Sequence, residues 1–247
     1  MIMRIIGIKT PLFEEKGNLL DFVCAAIPTL AEGDIVVITS KIVALAQGRV
    51  GVIEKKNAYV EKNAKRIIET PWALLTLTED GWCINAGVDE SNADNKLILL
   101  PRNPFAAAET MRKALIKRFS VDRLGVLITD TRSVPLRVGT IGRAIAYAGF
   151  NPLRSYVGKK DLFGRKSRVT VSNVVDALAA GAVLAMGEGD ERMPIALIKD
   201  APVQFVSLLQ KKYKRLAMPP ETDIFSGVFT ESAHASRTPS TKKRRRR

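Results

Sequence analysis

A mixed α+β fold is predicted for this 247-residue chain by two features of its apolar pattern. Short Ile, Val and Leu runs bounded by Gly, Pro or charge alternate with longer segments whose apolar side chains recur every three or four residues. A hydrophobic content of 46% adds a third observation, because it provides a real core and argues against a disordered or fibrous chain.

The runs at residues 2–8, 34–39, 73–77, 96–100, 124–128 and 194–199 read as strands. Residues 18–30, 57–69, 104–119 and 173–186 read as helices; in the last, Val174, Val175, Leu178, Ala182, Val183 and Met186 share one face. No internal repeat signals a solenoid. Residues 130–170, which include DTRSVPLRVGTIGR and YVGKKDLFGRKSR, lack clean periodicity and read as a basic, glycine-rich loop region or small subdomain. The body is expected to span residues 1–219, with 220–247 a disordered basic tail. There is neither a Walker A sequence nor a G-x-G-x-x-G, so neither a P-loop nor a Rossmann fold is supported.

Composition restricts the chemistry. The single histidine, His234, falls in a tail stretch of Ser, Thr, Ala and Pro, so the body has no imidazole for a Ser-His-Asp or Cys-His centre, a proton shuttle or a zinc site. Cys24 and Cys83 form no C-x-x-C pair and suit a reducing compartment. Chemistry here must rest on carboxylates, amides, hydroxyls, Lys and Arg, a set that favours hard cations and phosphate. The net charge is +14, but residues 211–247 hold 11 basic and 3 acidic side chains, leaving +6 on residues 1–210. No apolar run suits a membrane helix or signal peptide, and a cytoplasmic location is expected.

Three acidic stretches sit at expected element ends: Asp89, Glu90 and Asn92 in GVDESN, Asp130-Thr131 after a strand, and Gly187-Glu188-Gly189-Asp190-Glu191 after a helix. If they converge, Asp89, Asp130 and Glu188 would supply the charge for a Mg²⁺-class ion, and Thr131 and Asn92 neutral contacts. Ser40-Lys41, directly after DIVVIT, places a hydroxyl and an ammonium where a polyphosphate could lie. In the basic stretch, Arg137, Gly139, Gly142, Arg143, Lys159, Lys160, Arg165 and Arg168 either cradle phosphates or form a solvated loop.

The segments SKIVALAQGR, INAGVDESN, LLPRNP, GVLITDT, GRAIAYAG, YVGKKDLFGR and VDALAAGAVLAMGEGDE occur in this order. Together, over about residues 4–200, they make the chain resemble the coenzyme F-420 (deazaflavin) gamma-glutamyl ligase family. The resemblance implies a two-lobed α+β homodimer that joins L-glutamate to an acceptor carboxylate, with GTP as substrate, two Mg²⁺ or Mn²⁺ ions, and K⁺ as a stimulant. It implies metal ligands at Asp89, Asp130, Thr131 and Glu188. Nucleotide contacts are implied at Pro11, Leu12, Ser40, Lys41 and Asn92, and over Met186–Met193, which includes Gly187, Gly189, Asp190 and Arg192. Asp89, Asp130 and Glu188 are the catalytic candidates, and Arg137 and Arg143 the candidate phosphate contacts. The chain departs from the family pattern at Leu45, where a lysine is usual. It departs again at Arg132-Ser133-Val134-Pro135-Leu136-Arg137, where the family has Gly-Arg-Pro-Trp-Arg after Asp-Thr. Ligase chemistry is therefore the firmer expectation, and the acceptor is left between coenzyme F-420-0 and a folate-like molecule.

Two alternatives stand beside the enzyme. One is a degenerate ligase that only binds nucleotide. The other is a nucleic-acid-binding protein acting through its basic loop and KKRRRR at 242–247; that run lacks an aromatic platform and suits non-specific phosphate contact.

Overall fold

The computed structural model describes residues 2–206 and 216–229. His234 and the KKRRRR run lie outside the described residues. The chain begins with β1 (Arg4–Ile8), α1 (Leu19–Ala26), β2 (Asp34–Thr39), α2 (Ser40–Ala46), β3 (Val50–Gly51) and α3 (Lys56–Asn63). It continues through β4 (Arg66–Glu69), β5 (Leu74–Thr78), β6 (Gly81–Ile84), β7 (Leu97–Ile98), α4 (Pro104–Phe119), β8 (Leu124–Ser133) and β9 (Thr140–Ala148). Then follow β10 (Leu153–Ser155), β11 (Val171–Asn173), α5 (Val174–Met186), β12 (Ile195–Lys199) and α6 (Ser226–Phe229). This is the α+β class expected, and no helix among the described residues is long and apolar enough to cross a membrane.

The central sheet has the order β1-β12-β2-β8-β9, with β2 and β8 parallel and the other pairs antiparallel. β2 is buried on both faces, which is why DIVVIT reads as one unbroken apolar run rather than an alternation. Val36 and Ile38 join Val126, Ile128 and Leu115 in a core beneath α1, α2 and α4, while Ile35 and Val37 join Leu127, Leu178 and Ala182 beneath α5. At α4, Arg112 is 1% exposed and donates from Nε to the Leu124 carbonyl at 2.7 Å and from Nη2 to the Val206 carbonyl at 2.8 Å. Such a charge is tolerated in a core only with partners of this kind. A separate antiparallel sheet, β4-β5-β6, and the β3-β7 pair are inserted in sequence between β2 and β8 of the central sheet.

Several boundaries differ from the sequence reading. The helix expected over 57–69 ends at Asn63, and Arg66–Glu69 instead pairs with β5; the Ile67-Ile68 pair with Pro71 close behind suits an extended edge better than another helical turn. The helix expected over 18–30 stops at Ala26, before Pro28, and is opened by the Asn18 side chain, which accepts from the Leu20 and Asp21 N–H groups. The run 96–100 keeps only Leu97–Ile98 as strand. The stretch read as irregular from residue 130 begins as a hairpin: β8 continues to Ser133 and pairs with β9. Polar and glycine positions masked the alternation there. The loop between β10 and β11 holds Lys159, Lys160, Arg165 and Arg168, all exposed.

One irregularity positions the functional end of α5. The β8–β9 register skips Ile145, so Ile145 and Ala146 both enter the α1/α4 core, and Gly142 and Ala144 turn toward α5. Gly142 lies opposite Thr131 in the ladder, and a Cβ there would come within 2.5 Å of the Ala179 carbonyl and 2.6 Å of Val183. Glycine thus lets α5 settle onto the hairpin. Asn173 caps the helix by accepting from the Asp176 N–H, and Asp176 in turn accepts from the Ala144 N–H at 2.9 Å. Gly142→Ala is expected to lower unfolding stability by about 1–3 kcal/mol through this overpacking. Urea denaturation checks it; an unchanged midpoint would mean that α5 does not rest on this position.

Candidate functional site

β2 and β8 run parallel, and their carboxyl ends open onto a cavity of about 520 Å³, a size suited to a nucleotide-scale ligand. Four segments form its wall: Thr10–Phe13 after β1, Thr39–Ile42 at the β2–α2 junction, the Asp89–Asn92 turn, and Met186–Pro194 after α5, with Thr129–Thr131 of β8 at the base. Of the residues anticipated as nucleotide contacts, Pro11, Leu12, Ser40, Lys41, Asn92, Met186, Gly187, Gly189, Asp190 and Arg192 all line it. So do Asp89, Asp130, Thr131 and Glu188. Arg137 and Arg143 do not. Arg137 is exposed at the β8–β9 hairpin tip, and Arg143, although the ladder partner of Asp130, lines a separate small cavity with Asp80 and Phe105.

Each acidic group is held by a local device. Asp89 is fixed through its backbone, which exchanges hydrogen bonds with Ile98 at 2.9 and 2.8 Å, and its Oδ1 accepts from the Ser91 N–H at 2.7 Å. Its Oδ2 lies 2.9 Å from the Lys41 ammonium, which also donates to the Ser91 carbonyl at 2.8 Å. Burial works to raise the Asp89 carboxyl, but the Lys41 charge and the Ser91 hydrogen bonds outweigh it and hold it below the ordinary value. Asp130 Oδ1 accepts from Ser40 Oγ at 3.3 Å, and its Oδ2 pairs with Arg132. On the opposite face of β8, Thr131 Oγ1 donates to Glu188 Oε2 at 3.2 Å. Asn92 Nδ2 donates to the Gly189 carbonyl at 3.0 Å, linking the acidic turn to the segment after α5.

Glu188 stands on the turn that ends α5. Gly187 caps the helix at φ +80, and any Cβ there would meet the Glu191 carboxylate at 2.2 Å. Glu191 Oε2 accepts from the Gly189 N–H at 2.8 Å and closes this turn. Desolvation raises the Glu188 carboxyl above its ordinary value, and the nearby Asp130 and Asp89 charges push the same way, against the Thr131 hydrogen bond and Lys41.

The donors fit a hard cation. They are oxygens only, without imidazole or sulfur, and Thr129 Oγ1, 1% exposed in the cavity wall, is buried with no hydrogen-bond partner among the described residues. No three His, Cys, Asp or Glu side chains are gathered as a metal cage among the described residues; Asp89 pairs with Lys41 and Asp130 with Arg132. Sequence reasoning missed Arg132, although strand alternation places it on the face of Asp130; the strand had been expected to stop at residue 128. It also passed over Thr10, Thr39 and Thr129, which line the cavity and carry no motif of their own.

A raised carboxyl stabilises the fold below the unfolded-state value, and that contribution is lost as pH climbs through the folded-state value. Glu188→Gln, measured in chelator, is therefore expected to melt at a higher temperature than wild type at pH 8, with the gap closing by pH 4, where the wild-type side chain is neutral too. A constant gap across this range would contradict the assignment.

The family model described as F420-0:Gamma-glutamyl ligase matches residues 7–70 and 54–200. The coenzyme F420:L-glutamate ligase of Methanocaldococcus jannaschii is 34% identical over 248 residues, covering 90% of this chain and 96% of the relative. The ligase of the same name from Methanosarcina mazei is 34% identical over 212 residues, 77% of this chain and 83% of the relative. That from Halorubrum lacusprofundi is 36% identical over 199 residues, 69% and 76% respectively. The cavity built from Ser40-Lys41, Asp89, Asp130-Thr131 and Glu188 lies within this matched span, and the chain belongs to the F420-0:gamma-glutamyl ligase family.

Proposed function

We propose that the chain is a GTP-dependent amide ligase that joins the amine of L-glutamate to an acceptor carboxylate, and that the acceptor is coenzyme F-420-0 or a folate-like molecule. The observation that carries this is the convergence of Asp89, Asp130-Thr131 and Glu188 with Ser40-Lys41 on one cavity, in a chain whose relatives are named coenzyme F420:L-glutamate ligases. The chain's cavity also supports a reaction without histidine, since positioning and charge do most of the work in phosphoryl transfer.

In the proposed sequence, an acceptor carboxylate oxygen attacks the γ-phosphorus of GTP, the bond to the β-bridging oxygen breaks, and GDP leaves. The amine nitrogen of glutamate then attacks the acyl carbon, the carbon–oxygen bond to phosphate breaks, and the amine proton passes to a carboxylate or water. Ser40 and Lys41, at the start of α2, would orient the phosphates, and the Lys41 ammonium would offset the charge that develops on them. Asp89, Asp130, Thr131 and Glu188 would hold Mg²⁺ or Mn²⁺, which supplies positive charge against the triphosphate when bound. Pro11, Leu12 and the Met186–Arg192 segment would enclose the nucleotide. A homodimer and K⁺ stimulation belong to the same reading.

Incubation with GTP, Mn²⁺, L-glutamate and a panel of deazaflavin and pteroate acceptors tests the reading. A product heavier by one glutamyl residue, with one ¹⁸O moved from labelled acceptor carboxylate to phosphate, is expected. GTP turnover without any such adduct across the panel would contradict it. Asp130→Asn should lower turnover by roughly 10²–10³-fold or more while the circular dichroism spectrum is retained; wild-type rates in that variant would remove Asp130 from the mechanism.

A further inference from the structure

We propose that Arg132 is a built-in counter-cation that competes with divalent metal for Asp130 and so sets the metal affinity of the site. The inference rests on the reading of Asp130 as a metal ligand. β8 carries the two residues two positions apart, so both side chains stand on one face of the strand. Arg132 Nη1 bonds Asp130 Oδ2 and also donates to the Thr131 carbonyl at 3.1 Å. The other oxygen, Oδ1, accepts from Ser40 at 3.3 Å. Both oxygens of Asp130 are therefore engaged by the protein itself.

Arg132 differs from Lys41, the cation paired with Asp89. The Lys41 side chain is 23% exposed and its residue lines the cavity, whereas Arg132 is 8% exposed and sits behind Asp130, outside the cavity wall. Its Nη2 is buried with no partner among the described residues, so the guanidinium is retained at incomplete satisfaction. A metal ion approaching Asp130 must take Oδ2 from this fork or share the carboxylate with it. Two positive charges a few ångströms apart in a poorly screened setting repel each other strongly. Arg132 acts through Asp130 and is a positioning residue.

Mn²⁺ binding to the full chain, followed by the electron paramagnetic resonance of the free ion, tests this. Arg132→Met is expected to bind Mn²⁺ about tenfold tighter or more, the scale at which neighbours of ligands tune metal sites. Adding Asp130→Asn should cancel the gain, which a merely structural effect would not do. If Asp130→Asn weakens Mn²⁺ binding while Arg132→Met matches wild type, the metal reading stands and the role of Arg132 falls. If neither wild type nor Arg132→Met binds Mn²⁺, the metal reading fails and takes this inference with it. Should Arg132→Met not fold, wild type suffices: the ¹⁵N guanidinium resonance of Arg132 should lose its restricted rotation as Mg²⁺ is added to saturation, and an unchanged resonance overturns the proposal.

Discussion

Crowding of negative charge at one end of the central sheet is the constraint on which the rest of the site depends. Asp89, Asp130 and Glu188 come from a turn, a strand and the end of a helix, and they meet at a single cavity. Carboxylates brought together repel, and each must be offset or protonated. Lys41 offsets Asp89, Arg132 offsets Asp130, and the Glu188 carboxyl is raised as burial and its acidic neighbours disfavour its charge. These compensations are built from short local motifs: a lysine at the start of α2, an arginine two residues along β8, and a threonine hydroxyl across the strand.

The backbone devices serve the same end. A register skip at Ile145 turns Gly142 toward α5, the missing side chain lets the helix approach, and the helix then delivers Glu188 to Thr131. The ladder partner of Gly142 is Thr131 itself, so packing and chemistry are coupled through one rung. Parallel pairing of β2 and β8 sets Thr39-Ser40 beside Thr129-Asp130, which is how two segments ninety residues apart reach hydrogen-bonding distance.

Much of this was legible in the sequence. Doubly buried strands announce themselves as unbroken apolar runs, as DIVVIT and PIALIK do, and α4 and α5 carry clear three-four spacing. The acidic stretches stood out because three of them fall at element ends, where sites on such sheets are commonly built. What stayed hidden was pairing. Residues 130–148 are polar or glycine-rich where they face the cavity and the hairpin tip, so their alternation is broken at the place where they form a ladder. The change from α3 to β4 was masked by apolar residues that satisfy either period over so short a span. The two candidate phosphate arginines failed to reach the cavity for a related reason: nothing in the sequence says that Arg143, across the ladder from Asp130, stands toward Asp80 and Phe105, or that Arg137 stands at a hairpin tip.

The proposed function requires the carboxylate pocket to grip divalent metal against a triphosphate. The most direct measurement is the manganese anomalous signal from crystals grown with GTP and Mn²⁺. The account predicts metal peaks within ligating distance of Asp89, Asp130 and Glu188, with the phosphates lying along Ser40-Lys41. Nucleotide bound elsewhere, or manganese away from all three carboxylates, would contradict it.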